Sequence, residues 1–319
     1  MRRQVISLMP DPPIHIEVEP KVHLILGLNN SRFPEANSLL IDDEILTLVD
    51  AGSHGSLIIE TLKDLGHDPS DLDRIVLTHF HIDHKGYAAT LYELSKCEIL
   101  CHPLSDKGVL TFQGMAEYYG INRHRYYDYW KSFLEARLPH VTTDYIITGH
   151  YQDGKEISCG EVDLLPIHLP GHTIDHTCFG ISGRETIFLV DIDLTRFGPW
   201  YGNDVSDIPE FKRSVERVIE MQPEVGISSH LPELVKEDLI DRLETYYSVF
   251  KKREDRIMKN ISDGHNTIEK LAHVPTIYPR IPYEVYYSFE EFMLEKHVQL
   301  LVSNGDITEE DGQFSIARS

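Results

Sequence analysis

Up to about residue 230 the chain alternates short apolar runs with Gly, Asn and Asp turns and amphipathic stretches. The runs VHLILGL (22–28), SLLID (38–42), EILTLVD (44–50), RIVLTH (74–79), EILCH (98–102), YIITG (145–149), VDLLPIHL (162–169), TCFGI (177–181), TIFLVD (186–191) and VGISS (225–229) predict strands. Apolar residues at helical spacing predict helices over 56–65, 86–95 and 209–221. Residues 105–138, rich in tyrosine and basic residues, read as a helical insertion between strands. Strands interleaved with helices indicate a layered α/β core.

Past His230 the period lengthens. From 233 to 262 there is no glycine or proline, and leucine, isoleucine and tyrosine recur at helical spacing until Asp263-Gly264. A short helix over NTIEKLAHV (266–274), a longer one over 288–307 and a hairpin over GDITEEDGQFSIA (305–317) complete the chain. Three helices and a hairpin are the outline of a winged-helix module; a helical appendage packed on the main domain fits equally well. The chain therefore divides at residues 1–232 and 233–319.

A formal charge of −22 excludes a broad electrostatic grip on nucleic acid or on an anionic membrane, leaving room only for a local basic groove. The N-terminus carries two arginines, but Pro10, Pro12 and Pro13 interrupt any apolar stretch, and no run is long enough to span a bilayer. Cys97, Cys101, Cys159 and Cys178 lack metal-type CxxC spacing and read as reduced core thiols. A cytoplasmic location is expected, and the sequence is compatible with a homodimer.

Candidate chemistry begins at VLTHFHIDHKG (76–86), which crowds His79, His81, Asp83 and His84 at a strand end. Residues two apart on a strand share a face, so His79 and His81 point together; Asp83 and His84 follow in the loop, free to turn toward a second position. Three further segments each end an apolar run in a metal-ligating residue: His172 in LPGHT, Asp191 then Asp193 in TIFLVDID, and His230 in GISSHLPE. Imidazole and carboxylate donors suit zinc first, with iron or manganese as alternatives. His15, His67, His124, His265 and His297 have no such context; His54, His168 and His176 stand between.

This ordered set, HxHxDH then His, Asp and His, resembles the metallo-β-lactamase-fold hydrolases over roughly residues 20–232. The resemblance implies a four-layer αββα sandwich with the site along one edge of two sheets. It implies His79, His81 and His172 on one divalent metal, Asp83, His84 and His230 on a second, and Asp191 bridging. Asp50 and His176 would support the ligands from behind. One departure stands out: the family usually has Gly before its bridging aspartate, and Val190 is here. Asp193 thus competes for the bridge, although Asp191 sits directly after the apolar run.

Two cations about 3.5–4 Å apart lower the pKa of a shared water toward neutrality and stabilise the oxyanion formed when hydroxide attacks. No serine or cysteine nucleophile is needed, and GISSH lacks the GxSxG elbow. Asp83 would shuttle protons beside the bridging Asp191. The loop LTRFGPWYGND (194–204) follows the site, so Trp200 and Tyr201 are the expected substrate contacts, with the aromatic insertion as a lid. The expected reaction is hydrolysis of a small ester, thioester or lactone. The alternative is a phosphodiesterase acting on single-stranded RNA: core plus tail resembles the lactamase-like endoribonucleases, with KKREDR (251–256) as the basic patch. A binding module with lapsed catalysis is disfavoured by the complete ligand set.

Overall fold

The computed structural model describes residues 14–317, so the N-terminal arginines and prolines lie outside it. A seven-stranded sheet runs in chain order: β1 (His15–Glu19), β2 (Val22–Ile25), β3 (Ser38–Ile41), β4 (Thr47–Val49), β5 (Arg74–Val76), β6 (Glu98–Cys101) and β7 (Gly149–His150). Strands β1 to β4 pair antiparallel. From β4 onward pairing is parallel, because helices Gly55–Asp64 and Ala88–Ser95 carry the chain back across the sheet. A five-stranded sheet holds β8 (Ile157–Ser158), β9 (Asp163–His168), β10 (Thr177–Ile181), β11 (Thr186–Val190) and β12 (Val225–Ser228), in spatial order 12-11-10-9-8.

The four layers follow from the pleat. In β3, Leu39 and Ile41 face the other sheet and pack with Phe179 and Phe188, while Leu40 points the opposite way. In β5, Val76 joins the inter-sheet core, and Ile75 packs beneath Ile58, Leu62 and Leu91 of the covering helices. Both faces are buried, which is why these strands read as continuous apolar runs rather than alternations. Helix Ile208–Met221 covers the second sheet; Asp207 caps it by accepting the Glu210 N–H at 2.7 Å, and Pro209 occupies its first turn. The sandwich is the expected αββα architecture. Edge strands β1 and β8 lie outside the apolar runs, and only Gly149 of the YIITG run is in a strand.

The tail has the expected order: helix Leu239–Ser262, short helix Ile268–Ala272 capped by Thr267, helix Tyr286–Ser303, then the hairpin β13 (Ile307–Glu310) and β14 (Gln313–Ile316). It has no core of its own. Leu239, Leu243, Phe250, Ile257 and Leu294 belong to the same apolar cluster as the second sheet. The residue-232 boundary marks a change of secondary structure, not of core.

The basic patch expected at KKREDR needs correction. Arg253 is 2% exposed. Its Nη1 donates to the Pro199 carbonyl and, at 2.9 Å, to Tyr201 Oη, and its Nη2 donates to Phe197 O at 2.8 Å. Arg256 donates to Thr276 O at 2.7 Å, and Lys251 pairs with Asp255 one turn away. The basic side chains that remain exposed are Lys251, Lys252 and Arg256, two of them already engaged. The four cysteines are buried and unbonded, and among the described residues no helix is long and apolar enough to cross a membrane.

Lys85 is wholly buried, with Nζ 4.1 Å from the Tyr145 ring centre and 3.4 Å from Val109 O. Burial pushes its ammonium down to about 7 from an ordinary 10.5. The unfolded chain holds this proton up to pH 10.5 but the folded chain only below about 7, so the Lys85 contribution to stability improves as pH rises between them. Lys85→Met is expected to be more stable than the parent at pH 7, and urea unfolding should show that advantage shrinking steadily toward pH 10.

Candidate metal centre

The site is assembled at the ends of β5, β9, β11 and β12. Asp50, one residue past β4 in the left-handed region (φ 60°), accepts the Thr78 backbone N–H with Oδ1 and the Thr78 hydroxyl with Oδ2, each at 2.8 Å. That hydroxyl, having donated its own proton, lies 3.0 Å from His79 Nδ1 and accepts its N–H. Asp50 Oδ2 also accepts His84 Nδ1–H at 2.7 Å. His172 Nδ1–H donates to Trp200 O at 2.8 Å, and His230 Nδ1–H to Ser31 O at 2.7 Å. Each of these rings thereby presents Nε2, lone pair outward, to the centre.

Two groups of donors result: His79, His81, His172 and Asp191, and Asp83, His84 and His230, the atoms of each lying within 4.8 Å of one another. His81 Nδ1 is 3.0 Å from both His79 Nε2 and His172 Nε2. Asp191 faces both groups: Oδ2 lies 3.1 Å from His172 Nε2, and Oδ1 lies 3.1 Å from His84 Nε2 and 3.5 Å from His230 Nε2. Asp83 Oδ2 is 3.6 Å from His230 Nε2.

This arrangement fits divalent cations. Imidazole lone pairs converging at 3.0 Å repel unless a positive charge sits among them. His84 Nε2 and Asp191 Oδ1 are buried without hydrogen-bond partners, although such groups are costly to leave unsatisfied. Burial holds the His79 and His81 rings well below the usual histidine range, keeping them neutral ligands. Burial opposes ionisation of Asp191, but positive charge at His84, His172 and His230 outweighs it and holds the carboxyl well below the usual range, a charge that a bound cation would replace.

Asp193 stands apart: it joins neither group, its carboxylate accepts the Thr195 N–H at 2.9 Å and hydroxyl at 3.2 Å, and burial raises it to about 6. Val190 explains the missing glycine only in part. It sits at φ 54°, where glycine is at ease and a β-branched residue is strained, beside a register shift between β11 and β12. We find no compensating contact that accounts for the valine. His176 works through the backbone: Nδ1–H donates to Leu169 O at 2.9 Å, and Nε2 accepts the Asp191 N–H at 3.2 Å. His54 instead caps helix Gly55–Asp64, and His168 stacks on His102 at 4.2 Å, both away from the ligands.

A cavity of about 710 Å³ opens over the site, with His81, Asp83, His172, Asp191 and His230 at its base. The insertion supplies one wall through Tyr119, Trp130 and Phe133, and the tail another through Tyr278, Tyr286 and Phe289. Trp200 lines the cavity, its Nε1–H donating to Tyr278 Oη at 2.7 Å. Tyr201 does not, and the expectation for it is corrected: it is 0% exposed, hydrogen-bonded to His297 Nε2 at 2.6 Å and to Arg253. Several supporting groups escape sequence reasoning. The carbonyls of Ser31 and Trp200 leave no side-chain signal, and Tyr246, whose hydroxyl donates to Asp191 O at 2.9 Å, comes from the tail.

Two facing sheets flanked by helices, with histidine and aspartate donors gathered at their strand ends, define an αββα metal-dependent hydrolase. The chain belongs to the metallo-beta-lactamase superfamily, whose family model matches residues 32–230. The fold implies divalent metal ions. The chain is 23% identical over 257 residues to an atrochrysone carboxyl ACP thioesterase of Claviceps purpurea, covering 78% of this chain and 68% of that one. A metallo-beta-lactamase family protein from Thermus thermophilus superposes with a TM-score of 0.70 at 18% identity, covering 93% of this chain and 99% of its own. A beta-lactamase domain protein from Burkholderia ambifaria does so with a TM-score of 0.70 at 19% identity, covering 98% of this chain and 97% of its own.

Proposed function

We propose that the chain hydrolyses a small acyl thioester, with esters and lactones as chemically related substrates. The observation that carries this reading is the cavity: walled largely by aromatic side chains and floored by the two donor groups. Such a pocket accepts an apolar acyl body and brings its carbonyl to the polar floor. The similarity to a protein named as an acyl-carrier thioesterase supports the thioester over the other two. The reading against RNA rests on the tail, where Arg253 is buried and Lys251 and Arg256 already have partners.

His79, His81 and His172 would hold one divalent ion, zinc by donor type, and Asp83, His84 and His230 a second, with one Asp191 oxygen toward each. Ions so held would supply a water-derived nucleophile at neutral pH and polarise the scissile carbonyl. Asp50 and the Ser31 and Trp200 carbonyls fix the ring tautomers, so the ligands need no reorganisation. Asp83, at the cavity floor, would take a proton from the attacking water and return it to the leaving sulfur. Tyr119, Trp200 and Phe289 exclude bulk water from the reacting face.

Hydrolysis of apolar acyl thioesters by metal-replete protein, followed by free-thiol release, tests this reading. Trp200→Ala keeps the carbonyl that orients His172 but removes about one aromatic side chain of apolar contact. It should raise KM about tenfold with a smaller change in kcat and unchanged metal content. A fall in kcat alone would place Trp200 outside the substrate site.

A further inference from the structure

Arg32 and Arg196 are exposed and lie on the rim of the same cavity. Among the described residues neither guanidinium pairs with a carboxylate, whereas Arg74, Arg123, Arg125 and Arg213 each do. Two guanidinium groups without a carboxylate partner thus line one cavity, in a chain with 52 acidic and 30 basic side chains. Their backbones are held beside the site. Arg32 follows Ser31, whose carbonyl holds His230, at the end of three successive left-handed residues, Asn29, Asn30 and Ser31 (φ 54°, 57° and 56°). That costly conformation is held by the Gly27 N–H, which donates to Ser31 Oγ and Asn37 Oδ1 at 3.1 Å each. Arg196 follows Thr195, which Asp193 caps, and the turn closes with Gly198 N–H donating to Thr195 O at 3.0 Å.

We propose that Arg32 and Arg196 form an anion subsite at the cavity mouth, so that the substrate is an acyl thioester carrying a carboxylate or phosphate on its acyl or its thiol portion. This rests on the thioester reading above. Guanidinium suits such a role because it is planar, permanently charged, and matched to the paired oxygens of either anion. The Asp193 carboxylate, the nearest acidic group on the Arg196 loop, is turned onto Thr195 rather than toward the arginine. The anion can sit on either side of the sulfur, and the experiment separates the two.

Three thioesters of comparable apolar chains are compared with metal-replete protein. The first, an acyl N-acetylcysteamine thioester, is neutral. The second places the same acyl group on coenzyme A, with phosphates on the thiol side. The third is the N-acetylcysteamine thioester of a dicarboxylic half-acid, with the anion on the acyl side. At least one anionic substrate should exceed the neutral one in kcat/KM by about tenfold or more. In Arg32→Gln/Arg196→Gln that ratio should collapse toward one, and in the double Lys variant it should recover in part. The subsite is overturned if wild type handles all three alike, or if the ratio survives in the double Gln variant. Absence of turnover of all three overturns the thioester reading, and the subsite with it.

Discussion

Asp191→Ala is expected to strip the chain of one metal and to lower hydrolysis by more than about a hundredfold, the upper range for losing merely a supporting partner of a ligand. Its two oxygens face different donor groups, each 3.1 Å from an imidazole nitrogen. Alanine removes a donor from both and leaves His84 Nε2 and His230 Nε2 with only Asp83 beside them. Asp193→Ala is the control, because that carboxylate is already satisfied by Thr195. It should keep the metal content and stay within about tenfold of wild-type turnover. Metal analysis with kinetics on both variants settles the assignment; if the two exchanged their effects, the bridge would be Asp193.

Ending the chain at Leu234 should leave it insoluble or unfolded, although every proposed ligand is retained. The truncation removes Leu239, Leu243, Phe250, Ile257 and Leu294 from the cluster they share with the second sheet. Burying such a side chain is worth roughly 1.5–3 kcal/mol, so these five alone rival the about 5–15 kcal/mol of a whole domain. It also uncovers the Phe197 and Pro199 carbonyls that Arg253 satisfies, and releases the loop whose Trp200 carbonyl orients His172. Expression with far-UV circular dichroism reads the outcome. A soluble truncated chain with wild-type metal content would show the tail to be an attachment after all.

The donor residues are legible in the sequence because each follows an apolar run, and a strand end in a layered α/β fold is where side chains from several strands meet. Asp50 and His176 are legible only through a family resemblance. Neighbours in GPWYG are not separable: the backbone sends Trp200 to the cavity and Tyr201 to Arg253 and His297, partners 52 and 96 positions away. The charged neighbours of Arg253 suggest an exposed patch, yet the helical period carries the opposite signal. Tyr246, Phe250, Arg253 and Ile257 fall on one buried stripe of the same helix. Strand β8, two residues long, offers no period to read.

The central claim is that the two donor groups hold divalent ions that serve thioester hydrolysis in the aromatic cavity. Its most direct test counts metal in the purified chain and follows acyl-thioester hydrolysis before chelation, after it, and after Zn²⁺, Mn²⁺ or Fe²⁺ is returned. About two ions per chain are expected, with turnover lost on chelation and restored by the metal. A chain that holds two ions yet leaves thioesters, esters and lactones intact, or one whose turnover is indifferent to chelation, would contradict the account.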